Sequence, residues 1–588
     1  MKKLFYSAAV AAMAFVACNQ PVVNTYTEAE DPVVISDEQL AAWDKVGKLE
    51  GAWASADSLY SRSVVPTPAS VQVRSLEGWR GEKISAMFLL YTGSGADNVV
   101  CKVKDFRSAD ATLPANIAKA QFVRYTLADE GHEECRCHKS LLNPAILVPD
   151  MIDDLPYFNM EAKTVRPVWV TINIPQDATP GVYSSEIVVS ANGAKKLRLP
   201  VEVEVINQTL HSYTDWKFHL DLWQHPSAVA RMENLDMWSD EHFEALKKQM
   251  LPLAQAGQKV VTTTLNMDPW GSQCFDDYED MIVWKRHGDD TWSFDYTVFD
   301  RWVELMMSLG INKQINCYSM LPWNNLLRYL DVDKNAMVRR KVEPGTESFE
   351  KYWGAFLTDF KQHLSEKGWL GITNIAVDER SPLDMDEANR VLMKYAPEIG
   401  FAMADNHASY RRYMNIKDCC VAQRQLYLTK EDLAQRRANG YVTTFYVCCS
   451  TYFPNNFTYS QPFESELLAW HAIAKDYDGM LRWAYNSWPH RPEYDSRFRN
   501  WGSGDTYMIG SNARSTMRFE RTYNGIEAYE KVHILRKLAA DRPEVIQPLE
   551  DKLVEFDSYQ LKDNKLPWSA ILADVNAVLN EVSRKLAE

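Results

Sequence analysis

The chain has 588 residues, of which 46% are hydrophobic and 12% aromatic, so it can bury a large core and predicts more than one domain. Its formal net charge is −15, and no Lys- or Arg-rich run stands out. This charge argues against a nucleic-acid backbone as a partner, while the composition predicts a soluble globular protein.

The first residues form a segment of their own, in which two lysines precede a short apolar stretch and Cys18 follows Ala17. The stretch is too short to cross a bilayer as a helix of the mature chain, so it predicts a secretory signal over 1–17. The sequence "FVAC" resembles a bacterial lipoprotein signal, with Cys18 as the acylated first residue of the mature chain. We therefore expect cleavage before Cys18, a polar tether over 18–35, and a lipid anchor in a bacterial envelope membrane, on the periplasmic side or at the cell surface.

Residues 36–207 predict an N-terminal domain that begins with a short amphipathic helix, opened by Ser36 or Asp37. Runs such as "KISAMFLLYT", "PVWVTINIP" and "KLRLPVEVEVI" are rich in β-branched residues, and Pro/Gly turns separate them. Helical periodicity is scarce between residues 60 and 206. Closely spaced strands of this kind predict a β-sandwich.

After Asn207, short apolar runs alternate with longer helical segments. The eight runs are, in order, "WKFHLDLWQ", "KVVTTTLNM", "KQINCYSML", "GITNIAVDE", "GFAMADNH", "CCVAQRQLY", "YVTTFYVCC" and "GMLRWAYNSW". Several intervening helices begin with Ser, Asp or Thr and end on Gly, as helix ends prefer. Eightfold alternation of strand and helix predicts a (β/α)8 TIM barrel, which we place at 208–511, followed by a helical extension over 512–588 that packs on the barrel.

Two adjacent carboxylates, Asp378 and Glu379, end the fourth run in the sequence "NIAVDERSP". Barrel enzymes carry their chemistry at the carboxyl ends of the strands, so this pair is expected at the barrel mouth. Asp384 and Glu387 have capping-box spacing for the following helix, which leaves the earlier pair free of that task. The alternative is a solvated pair, or one bound to Arg380 in a salt bridge.

The other predicted strand ends carry aromatic, amide and acidic residues suited to a sugar. Aromatic faces stack on pyranose rings, and amides and carboxylates bind hydroxyl groups. The histidines lack metal-ligand spacing, so a carbohydrate cleft is favoured over a metal or nucleotide site, and no cofactor is expected. The candidate substrate-binding residues are His219, Asp221, Trp223, Asn266, Trp270, Asp405, Asn406, His407, Tyr446, Trp483, Tyr485, Asn486 and Trp488.

The order of signal, β-sandwich and barrel, with "VDE" ending the fourth strand, resembles glycoside hydrolase family 123, the β-N-acetylgalactosaminidases. The resemblance covers nearly all of the mature chain, and its most specific parts are the Asp-Glu pair and the region "W-x-YNSW…GDT…R-x-E…GIE-x-YE". It implies a retaining, exo-acting enzyme that removes non-reducing-end β-linked N-acetylgalactosamine by substrate-assisted catalysis. On that resemblance Glu379 is the general acid/base and Asp378 orients the 2-acetamido group.

An adjacent pair suits substrate-assisted catalysis. Most glycosidases place two carboxylates across the scissile bond, which neighbours on a strand end are poorly placed to do. If the acetamide oxygen of the substrate attacks the anomeric carbon, no protein nucleophile is needed. Glu379, which burial and a negative neighbour keep protonated, can then donate its proton to the leaving oxygen. Asp378, which is ionised, can accept a hydrogen bond from the acetamide N–H. Because strand neighbours face opposite sides, the strand must bend or end at this pair.

Two alternatives remain open. A hydrolase that acts on β-linked N-acetylglucosamine could use the same residues. The preference between the two sugars depends on which protein group contacts the 4-hydroxyl of the substrate. A non-catalytic, lipid-anchored glycan-binding protein could use the same barrel and aromatic residues, although the intact Asp-Glu pair argues against it. The sequence predicts a glycan substrate and no nucleic-acid partner, and it leaves the oligomeric state undetermined.

Overall fold

The computed structural model describes residues 27–67, 71–129, 144–423, 428–499, 501–557, 561 and 563–587. The predicted signal and Cys18 lie outside these residues. Part of the predicted tether is described and lies on the sandwich, where the Glu28 carboxylate is 2.9 Å from Arg124 and 2.6 Å from Arg166. No helix within the described ranges is long and apolar enough to span a bilayer.

A short helix, α1 (Asp37–Trp43), precedes the sandwich, as predicted. The Ser36 hydroxyl accepts a hydrogen bond from the Gln39 N–H, and the Gln39 side chain accepts one from the Ser36 N–H, which completes a capping box. Trp43 is buried, and its indole donates to the Ser63 carbonyl at 2.8 Å. The helix is therefore fixed at both its start and its end.

The N-terminal domain is a β-sandwich, as predicted. Its strands are β1 (Glu50–Ala54), β2 (Arg74–Arg80), β3 (Lys83–Thr92), β4 (Ala96–Val103), β5 (Phe106–Arg107), β6 (Thr112–Leu113), β7 (Ala118–Asp129), β8 (Ala145–Asp153), β9 (Phe158–Met160), β10 (Thr164–Asn173), β11 (Gly181–Ser190) and β12 (Leu197–Thr209). One sheet has the order β1-β3-β10-β7-β8, and the other has the order β2-β12-β11-β4-β9, with β5 and β6 beside β11. Phe88 and Val168 of the first sheet pack with Tyr183 and Val201 of the second in one buried core.

The second domain contains a nearly closed parallel barrel, as predicted. Its strands are β13 (His219–Leu222), β14 (Val260–Thr264), β15 (Val283–Arg286), β16 (Trp292–Asp295), β17 (Gln314–Tyr318), β18 (Leu326–Asp331), β19 (Ala336–Lys341), β20 (Thr373–Asp378), β21 (Gly400–Asp405), β22 (Ile416–Ala422), β23 (Val442–Tyr446) and β24 (Gly479–Arg482). Eight of them pair in parallel in the order β13-β24-β23-β22-β21-β20-β17-β14, and a bridge from Leu220 to Gln258 joins the two outer strands. Each predicted apolar run supplies one strand, because strands covered on both faces need continuous apolar runs.

Helices cover the outside of the barrel and extend beyond it. They are α2 (Pro226–Glu233), α3 (Asp240–Gln255), α4 (Thr297–Ser308), α5 (Glu347–Lys367), α6 (Pro382–Tyr395), α7 (Lys430–Ala438), α8 (Phe463–Lys475), α9 (Met517–Leu538), α10 (Pro543–Lys552) and α11 (Trp568–Ala587). The strand-helix alternation predicts a helix between the fifth and sixth runs, in "HASYRRYMN", but the structure has only a 3-10 turn there, Ser409–Arg411. Asp405 accepts hydrogen bonds from the N–H groups of His407 and Ser409, so the chain turns before a longer helix can form.

The C-terminal helices pack on the barrel, as predicted, with α9 and α11 against α8. The Glu530 carboxylate accepts from the N–H groups of Lys217 and Phe218, both at 2.7 Å, directly before β13. Helix α11 reaches the sandwich, where Trp79 donates to the Ser583 hydroxyl at 3.1 Å. The extension therefore joins the two domains.

A four-stranded sheet that the sequence analysis did not predict flanks the carboxyl ends of the barrel strands. Its order is β16-β15-β18-β19, and it is built from the segments that follow β14 and β17. The outer strand β19, with the sequence AMVRRK, is largely exposed and half basic, so it lacks the long apolar run and the alternation that predict a strand. This accessory sheet supplies one wall of the barrel mouth.

A buried ion pair connects the sandwich to the barrel. Arg518 of α9 donates to both carboxylate oxygens of Asp150 in β8, at 2.8 and 3.1 Å. The two side chains are 2% and 1% exposed. Because every candidate catalytic residue lies after Asn207, we expect the sandwich to support the barrel without supplying catalytic groups.

The substitution Asp150→Ala is expected to lower the free energy of unfolding by roughly 3–5 kcal/mol, since it leaves Arg518 buried without its counter-ion. The matched control is Asp154→Ala: Asp154 is exposed and lies 3.3 Å from Lys119, and such surface pairs contribute about 0–1 kcal/mol. Thermal unfolding measures both variants. The folded Asp150 variant should keep a kcat close to that of the wild type, and a severe loss of turnover with folding preserved would contradict the supporting role.

Candidate active site

Asp378 and Glu379 stand at the barrel mouth, where strand β20 ends. Asp378 is the last residue of the strand, and Glu379 has a φ of +46°, in the left-handed region that non-glycine residues seldom adopt. Two contacts hold this conformation: the Glu379 N–H donates to the Ala404 carbonyl at 3.1 Å, and the Tyr446 hydroxyl donates to Glu379 Oε1. The strand therefore ends at the pair, as predicted, and the turn lets both neighbouring side chains line the mouth.

Asp378 is contacted by the segment that joins β17 to the accessory sheet. The Trp323 indole donates to Asp378 Oδ2 at 3.1 Å. Burial, and next the negative charge of Glu379, raise the pKa of Asp378 to about 7, against the opposing effects of the Trp323 N–H and of Arg380. A carboxyl with a pKa near neutrality in a cleft is typical of catalytic sites.

Ser381 caps the helix that follows the pair. Its hydroxyl accepts from the Asp384 N–H at 3.2 Å, and the Asp384 carboxylate lies 3.3 Å from Arg380. Glu387 pairs with Arg390 at 3.0 Å. The predicted capping by Asp384 and Glu387 is therefore wrong, because α6 begins earlier than expected. Asp378 and Glu379 nevertheless do not cap this helix, and Arg380 forms its salt bridge with Asp384 rather than with either of them.

Three aromatic rings form the floor beneath the pair. The ring centroids of Trp223, Trp270 and Tyr318 are 4.9, 4.7 and 4.8 Å apart in the three pairs. The indole N–H groups of Trp223 and Trp270 are buried and make no hydrogen bond within the described residues. The same buried cluster includes Ala376, Ala402, Ala404, Tyr446 and Trp483. Four of the predicted residues, all aromatic, thus meet around the carboxylates.

His219 and Asp221 lie deeper, in the barrel interior beneath this floor. The Asn316 amide is 3.5 Å from Asp221 Oδ2, Gln314 donates to Asp418 Oδ2 at 2.6 Å, and His219 Nε2 is 3.7 Å from the same oxygen. Burial, followed by the charge of Asp418, raises the pKa of Asp221 to about 7. These two predicted residues therefore belong to a polar layer of the barrel core.

Four predicted residues lie around the mouth, Asp405 at the end of β21 and the other three in loops. The Asn266 amide binds the backbone of Arg328, at 2.8 and 2.9 Å, and so ties the accessory sheet to the barrel. Asp405 binds backbone N–H groups of the turn that follows it. Asn406, which is half-buried, and His407, which is exposed, lie on that turn. Asn266 and Asp405 thus stabilise loops beside the site.

The predicted residues after β24 are buried and bind the backbone of distant segments. The Tyr485 hydroxyl donates to the Gln249 carbonyl, the Trp488 indole donates to the Ile509 carbonyl, and the Asn486 amide binds the N–H and carbonyl groups of His225. These contacts hold the long segment between β24 and α9 against the barrel. Of the predicted residues at this strand end, Trp483 is the one that packs against the aromatic cluster.

Sequence reasoning missed two residues of the mouth, Tyr318 and Trp323. Both follow the rule that it used, since Tyr318 ends β17 and Trp323 comes shortly after it in "SMLPWNN". Tyr318 completes the aromatic floor, and Trp323 contacts Asp378.

The mouth combines proton-transfer groups with an apolar floor. Asp378 and Glu379 supply the ionisable pair, and Trp323 and Tyr446 orient one member each. Within the described ranges, no group of three or more His, Cys, Asp or Glu side chains is arranged to hold a metal ion. The arrangement can bind a ring with an apolar face and transfer a proton beside it.

Comparisons with known proteins agree with this geometry. Residues 223–535 match the family described as "Glycoside hydrolase 123, catalytic domain", and residues 53–191 match "Glycoside hydrolase 123 N-terminal domain". A solved family 123 glycoside hydrolase from Clostridium perfringens, described for glycolipid glycan hydrolysis, is 25% identical with a TM-score of 0.82, covering 92% of this chain and 99% of its own.

Other comparisons add nothing to this match. A Bacteroides ovatus family 5 xyloglucanase has a TM-score of 0.29 and 8% identity, over 81% of this chain and 100% of its own, which is too low to carry an argument. Curated proteins give no match. Because the catalytic-domain match spans more than half of the chain and contains the carboxylate pair, this protein belongs to glycoside hydrolase family 123.

Proposed function

We propose that this glycoside hydrolase is an exo-acting, retaining β-N-acetylgalactosaminidase that works by substrate-assisted catalysis. The observation that carries the proposal is the geometry of Asp378 and Glu379. They are adjacent carboxyls at one strand end, each held by a different wall of the mouth, above an aromatic floor. The glycolipid glycan hydrolysis described for the Clostridium perfringens relative is consistent with a glycan substrate.

The proposed reaction needs one protein acid and one orienting carboxylate. The acetamide oxygen of the substrate attacks the anomeric carbon, the bond from that carbon to the leaving oxygen breaks, and Glu379 gives its proton to the leaving oxygen. Asp378 accepts a hydrogen bond from the acetamide N–H and stabilises the positive oxazolinium. Water then attacks the anomeric carbon and displaces the acetamide oxygen from it, which restores the 2-acetamido group. The water returns a proton to Glu379, and the two inversions leave the product as the β-anomer.

The raised pKa of Asp378 differs from the expectation that Asp378 is ionised while Glu379 keeps the proton, so the scheme needs a further step. Below about pH 7 Asp378 holds a proton before substrate binds. An acetamide N–H that donates to Asp378 favours its ionised form, and the proton can then pass to Glu379, where the leaving oxygen requires it. Above about pH 7 the pair loses this proton, so kcat/KM should fall there.

Paired chromogenic substrates test the function. The wild type is expected to hydrolyse a β-N-acetylgalactosaminide faster than the matching β-N-acetylglucosaminide, and to release the β-anomer first, as nuclear magnetic resonance can follow. A preference for the glucosaminide would favour the related N-acetylglucosaminidase. No release from either substrate, with binding retained, would favour a glycan-binding protein. An α-anomer as first product would contradict the substrate-assisted mechanism.

We also propose that the enzyme is a lipoprotein of a bacterial envelope, anchored through Cys18. The sequence "FVAC" supports this proposal, and stable anchoring requires more than one acyl chain. Cells labelled with a fatty-acid analogue are expected to incorporate the label into the wild type and not into Cys18→Ala. Equal labelling of both proteins would rule out this anchor.

A further inference from the structure

Trp323 lies on the segment that joins β17 to β18, and it forms one wall of the mouth. Its backbone N–H donates to the Pro269 carbonyl at 2.9 Å. The side chain of Asn325, two residues later, accepts from Arg380 at 3.4 Å. The segment is thus fixed between the loop after β14 and the residue that follows the carboxylate pair.

Trp323 is exposed although its indole contacts a half-buried carboxylate. It is 41% exposed, whereas Trp223 and Trp270 in the floor are 1% and 2% exposed. Its N–H binds Asp378, and the Arg380 guanidinium lies 5.6 Å from its ring centroid. An aromatic ring that is already held in place and open to solvent can receive a ligand with little loss of conformational freedom.

The position of Trp323 relative to the floor indicates which part of a substrate it meets. An exo-acting enzyme takes the terminal sugar deepest into its site, so that sugar belongs beside the carboxylate pair, on the side of the enclosed aromatic cluster. The remainder of the glycan must leave past the rim. Trp323, which is exposed at the rim and bound to Asp378, lies on that path.

We infer that Trp323 serves the reaction proposed above in two ways: its N–H positions Asp378, and its exposed ring stacks on the first sugar of the leaving group. The inference rests on the proposed function, since it needs a glycosidic bond cleaved beside Asp378. Stacking would make the enzyme favour glycans over substrates with a small leaving group. A large, rigid ring is suited to such a contact.

The N–H of Trp323 also acts on the charge of Asp378. The titratable and charged groups around this carboxyl are Glu379 and Arg380 from its own segment and Tyr318 from β17. The indole hydrogen bond lowers the pKa of Asp378, so its removal is expected to raise that pKa. A residue that only supported the loop would leave the pH dependence of turnover unchanged.

Two substitutions separate the two roles. Trp323→Phe keeps a ring and removes the N–H, and Trp323→Ala removes both. The matched control is Met337→Ala, because Met337 is 53% exposed on β19 of the same accessory sheet. We would measure kcat/KM for a disaccharide that ends in β-linked N-acetylgalactosamine, and for the glycosyl azide, whose leaving group has no ring.

Trp323→Ala is expected to lower kcat/KM for the disaccharide about 10-fold more than for the azide. Trp323→Phe, which keeps a ring, is expected to retain most of the wild-type preference for the disaccharide over the azide. Both variants should move the alkaline fall of kcat/KM to higher pH, whereas Met337→Ala should change neither quantity. If Trp323→Ala does not fold, as judged by circular dichroism, Trp323→Leu replaces it.

Each result decides one part of the inference. An unchanged substrate ratio overturns the stacking role, and an unmoved alkaline fall overturns the positioning role. Failure of the folded wild type to hydrolyse either substrate overturns the proposed function instead, so the two failures are distinguishable.

Discussion

Glu379→Gln is expected to lower kcat for an unactivated N-acetylgalactosaminide by roughly 10²–10⁴-fold, the usual contribution of a general acid. Glutamine keeps the shape of the side chain and can still contact the Tyr446 hydroxyl, but it cannot protonate the leaving oxygen. The loss should therefore be in kcat rather than in KM. Rapid-quench measurements of sugar release give both parameters.

The dependence of the loss on the leaving group distinguishes a general acid from a residue that only binds the substrate. An activated aryl leaving group departs with little protonation, so the Glu379 variant should lose much less activity on an aryl glycoside than on a disaccharide. The matched control is Glu387→Gln, because Glu387 lies on the helix after the pair and binds Arg390 at 3.0 Å. Equal losses on both substrates would show that Glu379 is not the acid.

The sequence predicts the barrel well because its signal is repeated. Eight buried parallel strands require eight apolar runs, and each run appears in the expected place with a strand in it. The accessory sheet gives no such repeated signal, since its outer strand β19 is exposed and half basic. The missing helix after β21 has a local cause, because the Asp405 carboxylate binds the backbone of the turn in competition with a helix.

The sequence locates the carboxylate pair but not the full set of side chains around it. In a run that is apolar on both faces, alternation does not reveal which residues point inward. In β21, Ala402 and Ala404 face the aromatic cluster, so Asp405 points to the turn. The sequence also does not show how deep in the barrel a residue lies. Asp221 and Trp223 are separated by one residue, yet Trp223 belongs to the aromatic floor and Asp221 lies beneath it. The catalytic and binding roles themselves remain predictions.

The left-handed turn at Glu379 depends on contacts that no local pattern encodes. A glutamate has no preference for a φ of +46°, and the conformation is held by β21 and β23 through Ala404 and Tyr446. Sequence reasoning could state that the strand must bend or end at the pair. Only the assembled barrel shows how the two neighbours come to share the mouth.

Asp378→Asn is expected to lower kcat/KM by roughly 10²–10³-fold whatever the leaving group, because an uncharged amide stabilises the oxazolinium poorly. It should also weaken the binding of a thiazoline mimic of that intermediate, since the mimic benefits from the same negative charge. Isothermal titration calorimetry measures this affinity. A loss confined to poor leaving groups would instead assign the acid role to Asp378.

The same substitution should stabilise the fold at alkaline pH. The pKa of Asp378 is raised from 3.8 to about 7 in the folded protein, so its ionisation there destabilises the fold progressively as pH rises between those values. Asparagine has no charge to bury, so the free energy of unfolding of the variant relative to the wild type should be higher at pH 8 than at pH 5, by roughly 2 kcal/mol. Denaturant unfolding at the two pH values measures this difference, with Asp384→Asn as the control on the adjacent helix. A difference that does not change with pH would mean that Asp378 ionises as it does in the unfolded chain, and the proton could not then pass from Asp378 to Glu379 when the acetamide binds.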